Sequence, residues 1–286
     1  MASLKAIRKR ISSVKSTQQI TKAMKMVAAA KLRRSQEAAL AARPYAEKLG
    51  ALVHSVAARV GEQAHPLLAV RPEECNVHLV LVTSDRGLCG GYNANLIRKT
   101  EAFLAERGRE NVRLTVVGRK GFDYYKRRDV PIADKHINLF GGPGQALAEQ
   151  LGRSLARQFA EGESDAVYLL YNHFRSAISQ VATVERLLPL SAGEPSEAGG
   201  AEYRYEPDAA SLLERLLRQY VTVLLHRAFL ESTASFYGAQ MTAMDSASKN
   251  ASEMIDRLTL QMNRARQAAI TTELMEIVSG AEALKG

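Results

Sequence analysis

Residues 1–36 contain no aspartate, glutamate, glycine, proline or aromatic side chain, yet they carry ten lysines and arginines, and the first acid is Glu37. A net charge of +9 over 286 residues suits nucleic acid, anionic lipid and acidic protein surfaces alike. The clustering says more than the total, because an acid-free segment makes a local field. Cysteine is also scarce. Cys75 and Cys89 are too few for a disulfide framework and lack the CxxC spacing of a zinc or thiol-exchange site, which fits a reducing compartment. Long apolar runs are missing too: Val77–Val82 and Val221–Leu225 fall far short of the roughly 20 residues that span a bilayer. No secretory signal is visible, and an apolar share of 46% with 24% charged residues argues against disorder and for a soluble chain with a sizeable core.

Proline and glycine are scarce at the two ends. All eight prolines lie between Pro44 and Pro207, the first glycine is Gly50, and beyond Pro207 only Gly238, Gly280 and Gly286 occur. Both ends therefore read as long helices. Leu4, Ile7, Ile11 and Val14 step by three and four, and Ile20, Met24 and Val27 resume the stepping after a polar interval at Thr17 and Gln18. At the far end Ile255, Leu258, Met262, Ala265 and Ala269 do the same, followed by Ile270, Leu274, Ile277, Ala281 and Leu284. Asp208 is placed to cap the second helix, with Ser211 and Glu214 as a capping box one turn later. Pro44 predicts a bend or break in the first.

Between the helices, Val77–Ser84, Val112–Gly118, Ala166–Tyr171 and Gln180–Leu187 read as strands, with crossover helices over Asn93–Glu106 and Pro143–Phe159. Residues 191–202 read as a polar loop. The expected fold is α/β: a long antiparallel coiled coil of N- and C-terminal helices plus a small Rossmann-like domain with a mainly parallel sheet. The expected parts are an N-terminal coiled-coil helix (1–59), an α/β foot domain (60–207) and a C-terminal coiled-coil helix (208–286). At 1.5 Å per residue the two helices would measure roughly 85 Å and roughly 115 Å. The excess predicts a tip, from about Arg264 onward, whose apolar residues have no internal partner and need an external apolar collar.

Ser84–Tyr92 (SDRGLCGGY) follows a strand and opens a helix, where a phosphate-binding loop would lie. It lacks the Gly-Lys-Ser/Thr of a P-loop and the GxGxxG of a dinucleotide site, and a tight turn with glycines at positive φ explains it equally. The six histidines show no i, i+4 ligand spacing, and no Ser, Cys or carboxylate stands in a recognisable catalytic motif. No metal, cofactor or enzymatic activity is expected of this chain. The basic residues Lys5, Arg8, Lys9, Lys15, Lys22, Lys25, Lys31, Arg33 and Arg34 admit four readings. They can form a solvated coiled-coil flank, a nucleic-acid stripe, a docking face for acidic protein loops, or part of a transit peptide. The first 44 residues hold no aromatic on which a base could stack. The classes separate by experiment: a nucleic-acid binder binds DNA or RNA in a salt-sensitive way, and a small-molecule enzyme binds a phosphate ligand at the turn.

Three strings carry a resemblance: IRKRISSVKSTQQITKAMKMVAAAK (7–31), SDRGLCGG (84–91) and RARQAAITTELMEIVSG (264–280). In this order they resemble the N-terminal, central and C-terminal signatures of bacterial F-type ATP synthase gamma subunits. The resemblance implies a non-catalytic rotary shaft, one copy per complex, inside a hexamer of alternating alpha and beta subunits. Its foot would be fixed to the epsilon subunit and to the ring of membrane c subunits, so that association with the membrane is indirect and no nucleic acid is involved. Proton flow would turn ring and shaft together and drive each catalytic beta subunit through its nucleotide states. The resemblance further implies that Met24 and Lys25 face the acidic lever of the beta subunits. It places Arg266, Gln267 and Thr271 against the upper collar, and Tyr205 and Glu206 near the c ring. It implies the cytoplasmic face of a bacterial inner membrane. Plant-type relatives carry an inserted regulatory cysteine pair, and Cys75 and Cys89 lie outside any such insertion.

Overall fold

Two helices account for nearly half of the chain: α1, Leu4–Val60, with 57 residues, and α5, Ala209–Ala283, with 75. The computed structural model describes residues 4–60, 65–139, 144–190 and 209–283. At 1.5 Å per residue these helices are about 86 and about 112 Å long. The chain forms two compact units, Ala28–Gln240 in one, Met1–Val27 with Met241–Gly286 in the other, and α1 and α5 contribute residues to both.

The larger unit is built on a five-stranded sheet. Its strands are β1 (Val77–Val82), β2 (Val112–Val117), β3 (Ile132–His136), β4 (Ala166–Phe174) and β5 (Gln180–Leu188), in the order β3-β2-β1-β4-β5. Strands β1 to β4 run parallel and β5 pairs antiparallel with β4. Central β1 (VHLVLV) is buried at all six positions, as an unalternating aliphatic run flanked by two parallel neighbours must be. Helices α2 (Tyr92–Arg107), α3 (Arg119–Tyr125) and α4 (Gly144–Ala160) make the crossovers. One face of α4, carrying Leu151, Leu155, Ala156 and Phe159, joins Val80, Val82 and Leu169 of the sheet. The same core takes Leu49, Val53 and Val56 from α1 and Leu213, Leu217, Val221, Leu225 and Phe229 from α5.

Polar ties fix α5 to the sheet. Arg227 donates to Glu185 on β5 at 2.6 Å, Tyr171 donates to the same residue at 2.9 Å, and Glu231 meets His173 of β4 at 2.5 Å. Lys31 lies 5.3 Å from the ring centroid of Tyr237, and the side chains of Tyr45 and Gln219 hydrogen-bond, so α1 and α5 run antiparallel within this unit. His78 is buried beside Thr115, at 2.8 Å, and burial with the nearby Arg113 charge lowers its pKa to about 4. It is therefore neutral at pH 7.

In the smaller unit α1 buries Ile7 and Ile11, half-buries Val14, Gln18, Met24 and Lys25, and buries Thr21. On α5 Met244 and Ala251 are buried, and Ile255, Leu258 and Met262 half-buried, each on the same three-four stepping. Ile7 and Leu258 line one groove while Lys25 meets Asp245, which makes the pair antiparallel here as well.

Three expectations change. The α1 seam does not pass through Ile20 and Val27, which are 57% and 56% exposed, but through Gln18 and Thr21. Stepping by 100° per residue puts Ile20 about 120° around the helix from Val14, off the seam whatever its hydrophobicity. No break occurs at Pro44, which sits inside α1 with its side exposed, so the bond it cannot make is lost at a solvated face. Strand β3 and helix α3, unanticipated in the sequence, extend the sheet past β2. Asp208, Leu284, Pro143 and residues 191–202 lie outside the described residues, and Ser211 lies within α5.

Candidate partner interface

The smaller unit offers two kinds of surface. The first is basic. Lys5, Arg8, Lys9, Arg10, Lys15 and Lys22 are exposed on α1, and among the described residues none of them has an ion-pair partner. Their long stems leave the ammonium and guanidinium groups in solvent, where they attract acidic surfaces without a fixed geometry. A groove of about 490 Å³ opens between α1 and α5, lined by Ile7, Lys9, Arg10, Ser13, Leu258 and Gln261.

The second surface is apolar and occupies the end of α5. Beyond Ala269 every side chain through Ala281 is exposed. These include Ile270, Leu274, Met275, Ile277 and Val278, with Ile277 at 68%. With Ile7 opposite Leu258, the described α1, which begins at Leu4, has no residue beside the last three turns of α5. Arg266, Gln267 and Thr271 stand exposed at the base of this tip, and the Thr271 hydroxyl donates to the Gln267 carbonyl at 3.0 Å.

Met24 is half-buried in the seam. Lys25 is not a free surface cation. Its Nζ donates to Asp245 Oδ1 at 2.5 Å, and Asp245 Oδ2 takes Lys249 Nζ at 3.0 Å. The bond from Lys25, and then that from Lys249, holds the Asp245 carboxyl below the usual carboxylate range. Asp245 is the participant that sequence reasoning missed. The available signal was the unbroken stepping 14, 18, 21, 25, which puts Lys25 on the seam and within reach of an acid on α5. Tyr205 and Glu206 lie outside the described residues.

The turn from β1 into α2 is internally satisfied. Asp85 Oδ1 accepts the backbone N–H groups of Arg119 and Asn138, at 3.1 and 2.8 Å, and the Asn93 side chain pairs with Ser84. Positive φ occurs at Leu88 (61°) and Gly90 (56°), not at Gly87 or Gly91, so only one of its three glycines supplies the left-handed conformation expected of them. Cys89 is buried there and burial pushes its thiol pKa up, away from reactivity, while Cys75 is exposed. Among the described residues no helix is long and apolar enough to cross a membrane, and no three His, Cys, Asp or Glu side chains gather as a metal site would require.

The comparisons with known proteins agree over the full length. A family model described as ATP synthase matches residues 3–284. The ATP synthase gamma chain of Geotalea uraniireducens is 52% identical over 289 residues, covering all of both chains. That of Desulfitobacterium hafniense is 50% identical over 285, again covering both completely. Among solved structures, a chain in the central stalk and c-ring structure of Tetrahymena thermophila mitochondrial ATP synthase superposes with a TM-score of 0.63. It is 27% identical and covers 80% of this chain and 99% of that one. A chain of the Euglena gracilis mitochondrial enzyme, at 20% identity and TM-score 0.65, shares the fold over 98% of this chain and 94% of its own. With the family match and these full-length relatives together, the chain belongs to the ATP synthase gamma chain family.

Proposed function

We propose that this chain is the central rotary shaft of an F-type ATP synthase, coupling proton flow through a membrane c ring to conformational cycling of catalytic beta subunits. The observation that carries the reading is the apolar tip of α5, five large side chains held in solvent at the end of a two-helix pair. Each would gain about 1.5–3 kcal/mol on full burial, so the tip calls for an apolar sleeve supplied by another protein.

The chain itself does no chemistry in this reading. It turns as one copy within a ring of alpha and beta subunits, and it presents a different face to each beta subunit in turn. A rotor of this kind shifts its partners among conformers only by the difference in contact energy between them. Exposed, solvated cations suit a face that must slide, whereas a deep pocket would trap it at one angle. We assign Met24 and the aliphatic stem of Lys25, whose ammonium is held by Asp245, to the lever of the beta subunits, and Arg266, Gln267 and Thr271 to the collar. Tyr205 and Glu206, with the rest of the foot (60–207), go to the c ring and the epsilon subunit, while the helices of 1–59 and 208–286 form the shaft. The site of action is the cytoplasmic face of a bacterial inner membrane, reached through the c ring.

The test is co-expression with the alpha, beta and epsilon subunits of its own organism. The expected result is a stoichiometric complex containing one copy of this chain, with ATP hydrolysis that pumps protons once the c ring is added. Alpha and beta subunits that assemble and couple equally well without it would overturn the proposal.

A further inference from the structure

The cations of the smaller unit are not equivalent. Six of those on α1, at 5, 8, 9, 10, 15 and 22, are exposed and without an ion-pair partner among the described residues, whereas Lys25 is tied by Asp245. The difference arises from register. Lys25 occupies a seam position, so its stem covers the contact between α1 and α5 while its ammonium emerges at the seam's edge, 44% exposed. Asp245 meets it there from α5 and also takes Lys249, one turn further along its own helix. The charged groups around this carboxylate are thus two lysines, one from each helix. Together the three side chains carry a formal charge of +1, and without the carboxylate they would carry +2.

We infer that Asp245 is a positioning residue for the partner contact: it holds the Lys25 ammonium against α5 and removes it from the field that the acid-free face of α1 presents to an acidic protein surface. The assignment rests on the shaft reading and extends it. An exposed lysine samples many rotamers and reaches toward any nearby carboxylate, whereas one bound at 2.5 Å to its own chain does not. Asp245 therefore takes one cation, the one that follows Lys22, out of the freely attracting stripe. Releasing Lys25 would lengthen the stripe by one cation and create an angle at which the rotor binds too well.

The experiment uses the assembled complex of this chain with alpha, beta and epsilon subunits, carrying Asp245→Asn, and measures steady-state ATP hydrolysis against ionic strength. Freed Lys25 should slow turnover about 3- to 10-fold at about 10 mM salt, and the parent rate should return at about 500 mM, where charges are screened within a few ångströms. Asp245→Glu, which keeps the carboxylate, should restore the parent profile. A salt profile of Asp245→Asn indistinguishable from the parent would overturn the inference, as would a deficit that is independent of salt or that persists in Asp245→Glu. Failure of the parent chain to assemble would instead overturn the shaft reading, and this assignment with it.

Discussion

Replacing Gly118 by alanine should cripple the sheet domain, and the reason lies in three atoms of a neighbouring residue. Gly118 ends β2 and opens α3 at φ +99° and ψ 140°, a conformation that side chains disfavour by about 1–3 kcal/mol. A Cβ built there would stand 2.1 Å from the backbone oxygen of Thr83, 2.6 Å from its carbonyl carbon and 2.7 Å from its hydroxyl. Neither backbone atom can swing aside as a flexible side-chain end could. Relief requires β1 and β2 to part by roughly an ångström at their C-terminal ends, an overpacking cost of about 1–3 kcal/mol. The same shift stretches the bond from the Gly118 N–H to the His136 carbonyl, 2.7 Å, and that from Gly121 N–H to the Thr83 hydroxyl, 2.9 Å, worth about 1 kcal/mol each. The total is about 4–8 kcal/mol, against a whole-domain stability of about 5–15 kcal/mol. Thermal unfolding followed by circular dichroism should therefore show a Tm lower by about 10 °C or more, or no cooperative transition. Gly87→Ala is the control: its Cβ would meet only the Lys120 side chain, at 3.9 Å, and its melting should match the parent. A Gly118→Ala protein melting within about 2 °C of the parent would refute the steric argument, since the strain alone exceeds that shift.

Other expectations concern the tip, the buried histidine and the seam. Leu274→Asp with Ile277→Asp should leave the melting of the isolated chain within about 0.5 kcal/mol, because both side chains are already exposed, while weakening assembly with alpha and beta subunits in pull-down. For His78 the folded pKa of about 4 lies below its ordinary value near 6.5, so the unfolded chain binds the proton more readily. The resulting penalty is absent above about pH 6.5 and grows as pH falls toward 4, by up to about 3 kcal/mol. Urea denaturation at several pH values should show that slope, and His78→Asn should flatten it. Lys25→Ala removes a cation already cancelled by Asp245, so protons pumped per ATP in the reconstituted complex should stay near the parent value. Met24→Lys adds a free charge beside it and should lower that ratio.

Much of this architecture is written in single residues. The scarcity of proline and glycine at the ends, the aliphatic runs of β1, β2 and β4, and the excess length of α5 predict the helices, the parallel sheet and the exposed tip. Strand β3 escaped because it is an edge strand with Asp134 and Lys135 exposed, and its pattern of IADKH has no apolar face to detect. Helix α3, at seven residues, is shorter than the window in which helical periodicity registers. Ile20 and Val27 misled for a different reason: hydrophobicity suggested a seam position, but helical geometry had already allotted the seam to Gln18, Thr21 and Lys25. Interfaces with other proteins are the class of surface where apolar residues stay outside, and there the usual inference from composition to burial reverses. The Lys25–Asp245 bond links positions 220 residues apart, and only the fold brings them together.

The core shared by α1, the sheet and α5 also dictates an order of events during synthesis. Leu49, Val53 and Val56 leave the ribosome early, but the α5 residues that complete their surroundings begin at Leu213, more than 150 residues later. At roughly 5–20 residues per second, that interval is about 8–30 s, during which the nascent chain carries an unfinished greasy strip. A translational pause placed before Leu213 would lengthen the exposure of that strip to proteases.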